Sequence, residues 1–403
     1  MLRLLQINAT CNWGSTGRIA EQIALLAQRG GWDCYTAHGA RYVRESATET
    51  IQVGSEADNR MHALKSLLLG GHGLGSTRAT REFLEKVKVI NPDIIHLHNI
   101  HGYYLNYPVL FGYLKEAGIP VVWTLHDCWS MTGQCTHFEL VGCKKWKTEE
   151  GCNHCPQLRA SYKTIVDRSQ RNWQLKKSLF TAIDNLTIVT VSEWLKNIVK
   201  GSYLGDKPVR MIHNGVDLDC FKPVSVKRNE LGLDEEKPVV LGVSSEWGEK
   251  KGINEFIKLS KNGQYQVVMI GVTEQQLKDL PPSIKAIKRT SNAQELVKYY
   301  SVADVFVNPT YEDSFPTVNI EALACGTPVV TYRTGGSPEA IDEETGVIVE
   351  QGDYDGLVKS IGRVLSKEKA GLSTLCRSRA ECLFNKDDRF KDYIDLYNSL
   401  KTK

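Results

Sequence analysis

Residues 308–340 read NPTYEDSFPTVNIEALACGTPVVTYRTGGSPEA, a run that holds the carboxylates Asp313 and Glu321, a helix start and a Gly-Gly turn. Just before it, Val305, Phe306 and Val307 predict a short buried strand. The loop that follows carries Asp313; Thr317 through Ala324 predicts a helix closed by Gly326, and Val329 opens the next strand. In an α/β protein a ligand sits beyond the carboxyl end of such a strand. The free N–H groups at the helix start, near Thr317 and Val318 just after Pro316, suit the phosphates of a diphosphate. Glu321, one turn further in, would repel phosphate and is better matched to a neutral diol such as a ribose, while Asp313 suits the hydroxyls of a sugar. A helix-to-strand link with no ligand is the plainer alternative.

The segment resembles the donor site of the retaining glycosyltransferases of family 4. There, two acidic residues separated by seven others mark the site, and Asp313 and Glu321 have that separation, with aspartate in place of the usual first glutamate. The resemblance implies a GT-B fold: α/β, two Rossmann-like doubly wound domains facing across a cleft. It also implies retention at the anomeric carbon without an essential metal, the leaving diphosphate itself taking the acceptor proton. Val239 to Ile253, VVLGVSSEWGEKKGI, is a buried strand running into a loop with Lys250 and Lys251, cations that would stabilise a departing diphosphate. Ser245 stands where the family usually has an arginine, which leaves the lysines or an arginine from elsewhere to carry that charge. A solvated pair of lysines on a turn is the competing reading. IHNGVDLDCFKP, from Ile212, looks like the opening of the family's second domain, although an ordinary turn explains Asn214 and Gly215 equally well.

The first half begins with a strand at Leu2 to Asn8, a glycine loop from Gly14 to Gly17, and a helix with Ile19, Ile23 and Leu26 at its period. Neither the P-loop nor the GxGxxG pattern is present, which disfavours a nucleotide hydrolase or a dehydrogenase. In the resembling family this loop, with Gly14 and Gly17, lets the backbone approach donor or acceptor. His96 and His98 share one face of the strand beginning at Ile94, as core or cleft histidines or as part of a metal site. His126 ends the strand Val121 to Leu125 and matches the family histidine that contacts the transferred sugar; Asp127 would orient that imidazole or, with His98, line the acceptor side.

The chain has 403 residues, 41% of them hydrophobic, enough for two domains at about 100–200 residues each. The expected division is 1–205 and 206–386, near GSYLGDKP. The segment 387–403, with Phe390, Tyr393 and Tyr397 at helical spacing, is expected to return to the first domain or to end the second. No apolar run reaches the length of a membrane span, and the start reads directly into a strand without a signal peptide, so a cytoplasmic location is expected.

Four of the eleven cysteines, Cys135, Cys143, Cys152 and Cys155, cluster within an insertion over 128–160. Structural zinc, buried free thiols or disulfides, and an iron-sulfur cluster are its three readings. A subgroup of the family, the capsule, colanic acid and exopolysaccharide enzymes, has a similar insertion. Lys144, Lys145, Lys147, Arg159, Lys163, Arg168, Arg171, Lys176 and Lys177, with Trp146 among them, form a basic span suited to an anionic membrane surface or simply to water. A net charge of +3 and the absence of a recognition motif argue against nucleic acid. The expectation is transfer of a sugar from a nucleoside diphosphate to a glycan or lipid-linked glycan, with no cofactor needed for catalysis. A sugar-nucleotide epimerase of the same fold and a non-catalytic binding protein are the rivals; the base, sugar, acceptor and linkage are not encoded in these motifs.

Overall fold

The structure, a computed structural model, describes residues 1–401. The chain divides into two compact units, Met1–His213 with the chain from Phe390 onward, and Asn214–Arg389. The first contains β1 (Leu2–Asn8), β2 (Trp32–His38), β3 (Glu49–Gln52), β4 (Ile94–Leu97), β5 (Val121–Leu125), β6 (Leu186–Thr190) and β7 (Val209–Met211). They form one parallel sheet in the order β3-β2-β1-β4-β5-β6-β7. The second contains β8 (Val239–Val243), β9 (Gln266–Ile270), β10 (Ile284–Ile287), β11 (Val305–Asn308), β12 (Val329–Tyr332) and β13 (Gly346–Val349), ordered β10-β9-β8-β11-β12-β13 and also parallel.

Both orders are doubly wound, with the topology reversing between β1 and β4 and between β8 and β11. Central strands such as β5, β6, β11 and β12 are buried along their whole length, because helices cover both faces of a parallel sheet. Their sequences are correspondingly near-continuous apolar runs rather than alternating ones.

Two expected boundaries shift. Val209 opens not the second unit but the last strand of the first, since β7 pairs with β6 in the register Ile188↔Val209, and Ile212 N–H donates to the Thr190 carbonyl at 2.9 Å. The return at the C-terminus begins at Phe390 rather than 387, and residues 402–403 of that expected segment lie outside the described residues. From Phe390 on, the helix Lys386–Lys401 is part of the first unit and lays Phe390, Tyr393 and Tyr397 against Leu4, Ile23, Trp32, Ile94 and Val122. The Tyr397 hydroxyl meets His96 Nδ1 at 2.6 Å, and Thr124 Oγ1 takes His96 Nε2 at 2.8 Å. His96 is thus a hydrogen-bonded core residue.

Candidate functional site

In the second unit the loops following β8 and β11 lie at the point where strand order reverses, and they carry most of the residues expected to hold a donor. The helix runs Thr317–Ala324, with Pro316 as its N-cap and no side chain capping it. Asn319 N–H donates to the Pro316 carbonyl at 3.2 Å, which leaves the N–H groups of Thr317 and Val318 at the open end of the helix. Asn319 anchors that turn, accepting from Asn308 Nδ2 at 2.8 Å and donating to the Ser337 carbonyl at 3.4 Å. Glu321 is buried on the next turn, where one carboxylate oxygen accepts from the Tyr300 hydroxyl at 3.0 Å.

The lysine loop packs directly on the acidic one. Gly252 adopts φ +72°, and a Cβ there would stand 2.5 Å from the ring and carbonyl of Pro309, so only glycine permits this approach. Lys250's own carbonyl accepts from Tyr311 N–H at 2.8 Å. The two lysines then diverge. Lys251 Nζ bonds Asp313 at 2.6 Å and the Glu312 carbonyl at 3.1 Å, with both side chains partly open to solvent. Lys250 Nζ bonds Glu312 at 2.5 Å, and the Glu312 side chain is only 2% exposed. The other oxygen of that carboxylate, and the Ser314 hydroxyl, are buried without a hydrogen-bond partner. Glu312 was missed by the sequence reading; the only signal was a second acid beside Asp313. Ser245 lies exposed in the same loop, where Gly271 at φ +97° passes too close to the Ser244 carbonyl to carry a Cβ.

In the first unit, β1, β4 and β5 bring Gln6, His98 and His126 into a chain at their carboxyl ends. Gln6 Nε2 donates to the Ala20 carbonyl, which turns Oε1 toward His98 Nε2 at 2.9 Å. Burial holds His98 well below the usual histidine range, so the ring is neutral, donates from Nε2 and accepts at Nδ1. His126 Nε2 must then be the donor across the 3.1 Å contact to His98. Burial lowers His126 to about 4 against the opposing pull of Asp127, leaving a neutral ring whose Nδ1 is an acceptor. Such a group receives a hydrogen bond from a hydroxyl; it does not supply a proton near neutral pH.

Asp127 does not orient His126 as expected. Its oxygens take His101 Nε2 at 2.9 Å and Trp129 N–H at 2.8 Å, and His101 Nδ1 in turn meets the Tyr162 hydroxyl. The orienting partner of His126 is instead His98, which is fully buried and so is no direct acceptor contact. Gly14 opens the helix Gly14–Arg29 at φ +67°. A Cβ on Gly17 would come within 2.7 Å of Thr10 Oγ1, so Gly17 serves the packing of this helix on its own loop.

The four clustered cysteines are free thiols lining one small cavity with Phe138 and Trp146. Burial pushes Cys135 up to about 12 and Cys152 to about 11, and raises Cys155. Among the described residues no group of three or more His, Cys, Asp or Glu is arranged to hold a metal ion. The basic span is not one surface either. Trp146 is buried, Lys145 Nζ is taken by the carbonyls of Asn153 and His154, and the fully buried Lys176 donates to the carbonyls of Trp129 at 2.7 Å and Thr132 at 3.0 Å. Among the described residues no helix is long and apolar enough to cross a membrane.

Residues 33–220 match the Glycosyltransferase Family 4 description, and residues 224–380 match Glycosyl transferases group 1. The chain is a glycosyltransferase with a family 4 domain followed by a group 1 domain. It is similar to the putative colanic acid biosynthesis glycosyl transferase WcaC of Escherichia coli K12, at 22% identity over 333 residues and 78% of each chain. Two solved structures share the fold of this glycosyltransferase along nearly the whole chain. Sucrose-phosphate synthase from Thermosynechococcus elongatus has a TM-score of 0.76 at 20% identity, covering 99% of both chains. Anabaena HepE in complex with UDP-glucose has a TM-score of 0.67 at 15% identity, covering 99% of this chain and 100% of that one. The glycosyltransferase therefore has the GT-B fold.

Proposed function

We propose that this glycosyltransferase moves a sugar from a nucleoside diphosphate to a hydroxyl of a glycan or lipid-linked glycan in surface polysaccharide synthesis, with retention at the anomeric carbon. The observation that carries the reading is the junction of the loops after β8 and β11. It places a cation, Lys251, against Asp313 and beside an uncapped helix start, with Glu321 one turn inside. The amides near Thr317 and Lys251 take the diphosphate, Glu321 the ribose, and Asp313 a hydroxyl of the donor sugar. Each lysine is shared with a carboxylate, and a bound diphosphate would offer Lys251 a second anionic partner. HepE, a protein of the same fold, binds UDP-glucose, which supports a nucleotide sugar as donor. WcaC, named for colanic acid biosynthesis, supports a polysaccharide as the product; a cytoplasmic reaction at the inner face of the membrane is part of the same proposal.

The test is thermal stabilisation by UDP, GDP, ADP and their sugars on the native chain and on Glu321→Ala. One nucleotide is expected to raise the melting midpoint, and the variant to lose that shift. No shift with any member of the panel would reject the donor site.

We also keep zinc as a proposed structural ion for Cys135, Cys143, Cys152 and Cys155, which would have to deprotonate and close on it. Purified protein is expected to carry about one zinc per chain. Metal-free protein with four reactive thiols would leave them as buried cysteines only.

A further inference from the structure

The helix Glu56–Leu69 is built inside out. Its buried residues are Asn59, His62 and Ser66, all polar. Its outward residues include Met61, 53% exposed, Leu64, 48%, Leu67, 38%, Leu68, 46%, and Leu69, 63%. Met61, Leu64 and Leu68 follow the i, i+3, i+7 spacing of one helical face. The inward polarity has its own cause. His62 Nε2 accepts from the N–H groups of Gly73 at 3.2 Å and Gly75 at 3.0 Å, and Nδ1 then donates to Ser76 Oγ at 3.0 Å. Ser66 adds a contact to the Gly71 carbonyl at 3.4 Å. A helix held to its unit by polar bonds presents its leucines to the surroundings, where a chain meeting only water would place charge.

The apolar face continues beyond the helix. Ile165 is 61% exposed, and its N–H donates to the Leu67 carbonyl at 2.9 Å, which sets it beside the leucines. The segment that carries it is basic. Lys163 is exposed next to it, the Arg168 stem lies against Gly70, and Arg171 follows one residue before Asn172, whose amide bonds the Gly70 carbonyl at 2.8 Å. Lys65 is exposed on the helix itself. The carboxylate nearest in sequence, Asp167, is occupied by the N–H groups of Cys155 and Ser169. Glu56 and Asp58 lie at the far end of the helix, Glu56 paired with Arg60 and Asp58 with Ser55.

We propose that this face, Met61, Leu64, Leu68, Leu69 and Ile165 rimmed by Lys65, Lys163 and Arg168, docks on a bilayer bearing anionic headgroups. The leucines enter the boundary between headgroups and acyl chains, and the cations remain at the headgroups. The basic rim decides for an anionic lipid surface over an uncharged one. This inference does not depend on which sugar is transferred, or on transfer at all.

The experiment is co-sedimentation of the full chain with phosphatidylcholine vesicles, with and without phosphatidylglycerol, for the native protein and for Leu64→Ser/Leu68→Ser/Ile165→Ser. These positions are exposed, so the variant is expected to fold, which its melting midpoint and donor-induced shift check separately. Native protein is expected on the anionic vesicles, in a salt-sensitive manner. The triple variant is expected to partition more than tenfold less, because three apolar side chains no longer enter the acyl boundary. Equal partition of the two proteins would overturn the proposal, as would native protein that stays in solution with both vesicles. So would a native dimer that the triple variant dissociates, since a second copy would then cover the face.

Discussion

Replacing Lys251 by alanine is expected to lower kcat by about 100- to 1,000-fold while leaving the fold intact, the loss seen when one group aimed at developing charge is removed. Lys250→Ala is expected to do the opposite, costing about 2 kcal/mol of stability in the second unit, or about 5 °C, with a smaller change in turnover. The two residues are neighbours of the same chemistry, and the difference lies in their partners. Lys251 holds Asp313, a carboxylate still 22% exposed, so its loss leaves a charge that water can solvate. Lys250 neutralises Glu312, whose side chain is 2% exposed and whose second oxygen has no hydrogen-bond partner. Removing it strands a buried carboxylate, although the partly exposed ammonium keeps the cost below that of a fully buried pair. Thermal melts and turnover with the donor identified by the nucleotide panel separate the roles. A Lys251→Ala protein that unfolds early, or a Lys250→Ala protein that is stable and inactive, would reverse the assignment.

Acid is expected to unfold the first unit well before the second. All ten histidines fall in residues 1–213, and five of them are depressed by burial. His62 and His126 stand at about 4, and His72, His96 and His98 lie well below their ordinary value of 6.5. In the unfolded chain each titrates near 6.5, so between that value and the folded one the unfolded chain binds more protons. Stability from these neutral rings is whole above pH 6.5 and is lost as pH falls toward 4. Each histidine contributes a slope of up to about 1.4 kcal/mol per pH unit, and His62 and His126 forfeit about 3 kcal/mol apiece by pH 4. Such losses rival the 5–15 kcal/mol total of an ordinary domain. Urea melts at pH 7.5 and pH 5 are the measurement. Tryptophan fluorescence reads it, because Trp247 is the one tryptophan in the second unit and the other seven lie in the first. A midpoint unchanged between the two pH values would mean that these rings take up protons without unfolding.

The same histidines show where reading the sequence stopped. His126 was visible at the end of its strand because strand ends are where α/β proteins place chemistry. Its neighbour Asp127 was the natural candidate to orient it, but the pairing of β4 with β5 brings His98 there instead, and the turn after β5 sends Asp127 to His101. Lys145, Lys176 and Trp146 looked like surface from composition alone. The carbonyls and rings that take them inside come from residues up to 47 positions away.

By itself the sequence determined the alternation of strands and helices, the helix Thr317–Ala324 and its uncapped start, the spacing of Asp313 and Glu321, and the lysine loop before Gly252. Those features follow from periodicity, turn chemistry and short-range spacing, which a chain carries locally. Only the tertiary structure decided that Glu312 is buried against Lys250, that β7 completes the first sheet, and that the helix Glu56–Leu69 turns its polar side inward. Each depends on which distant backbone groups arrive beside a side chain, and burial, which sets both charge state and partner, exists only once the strands have paired.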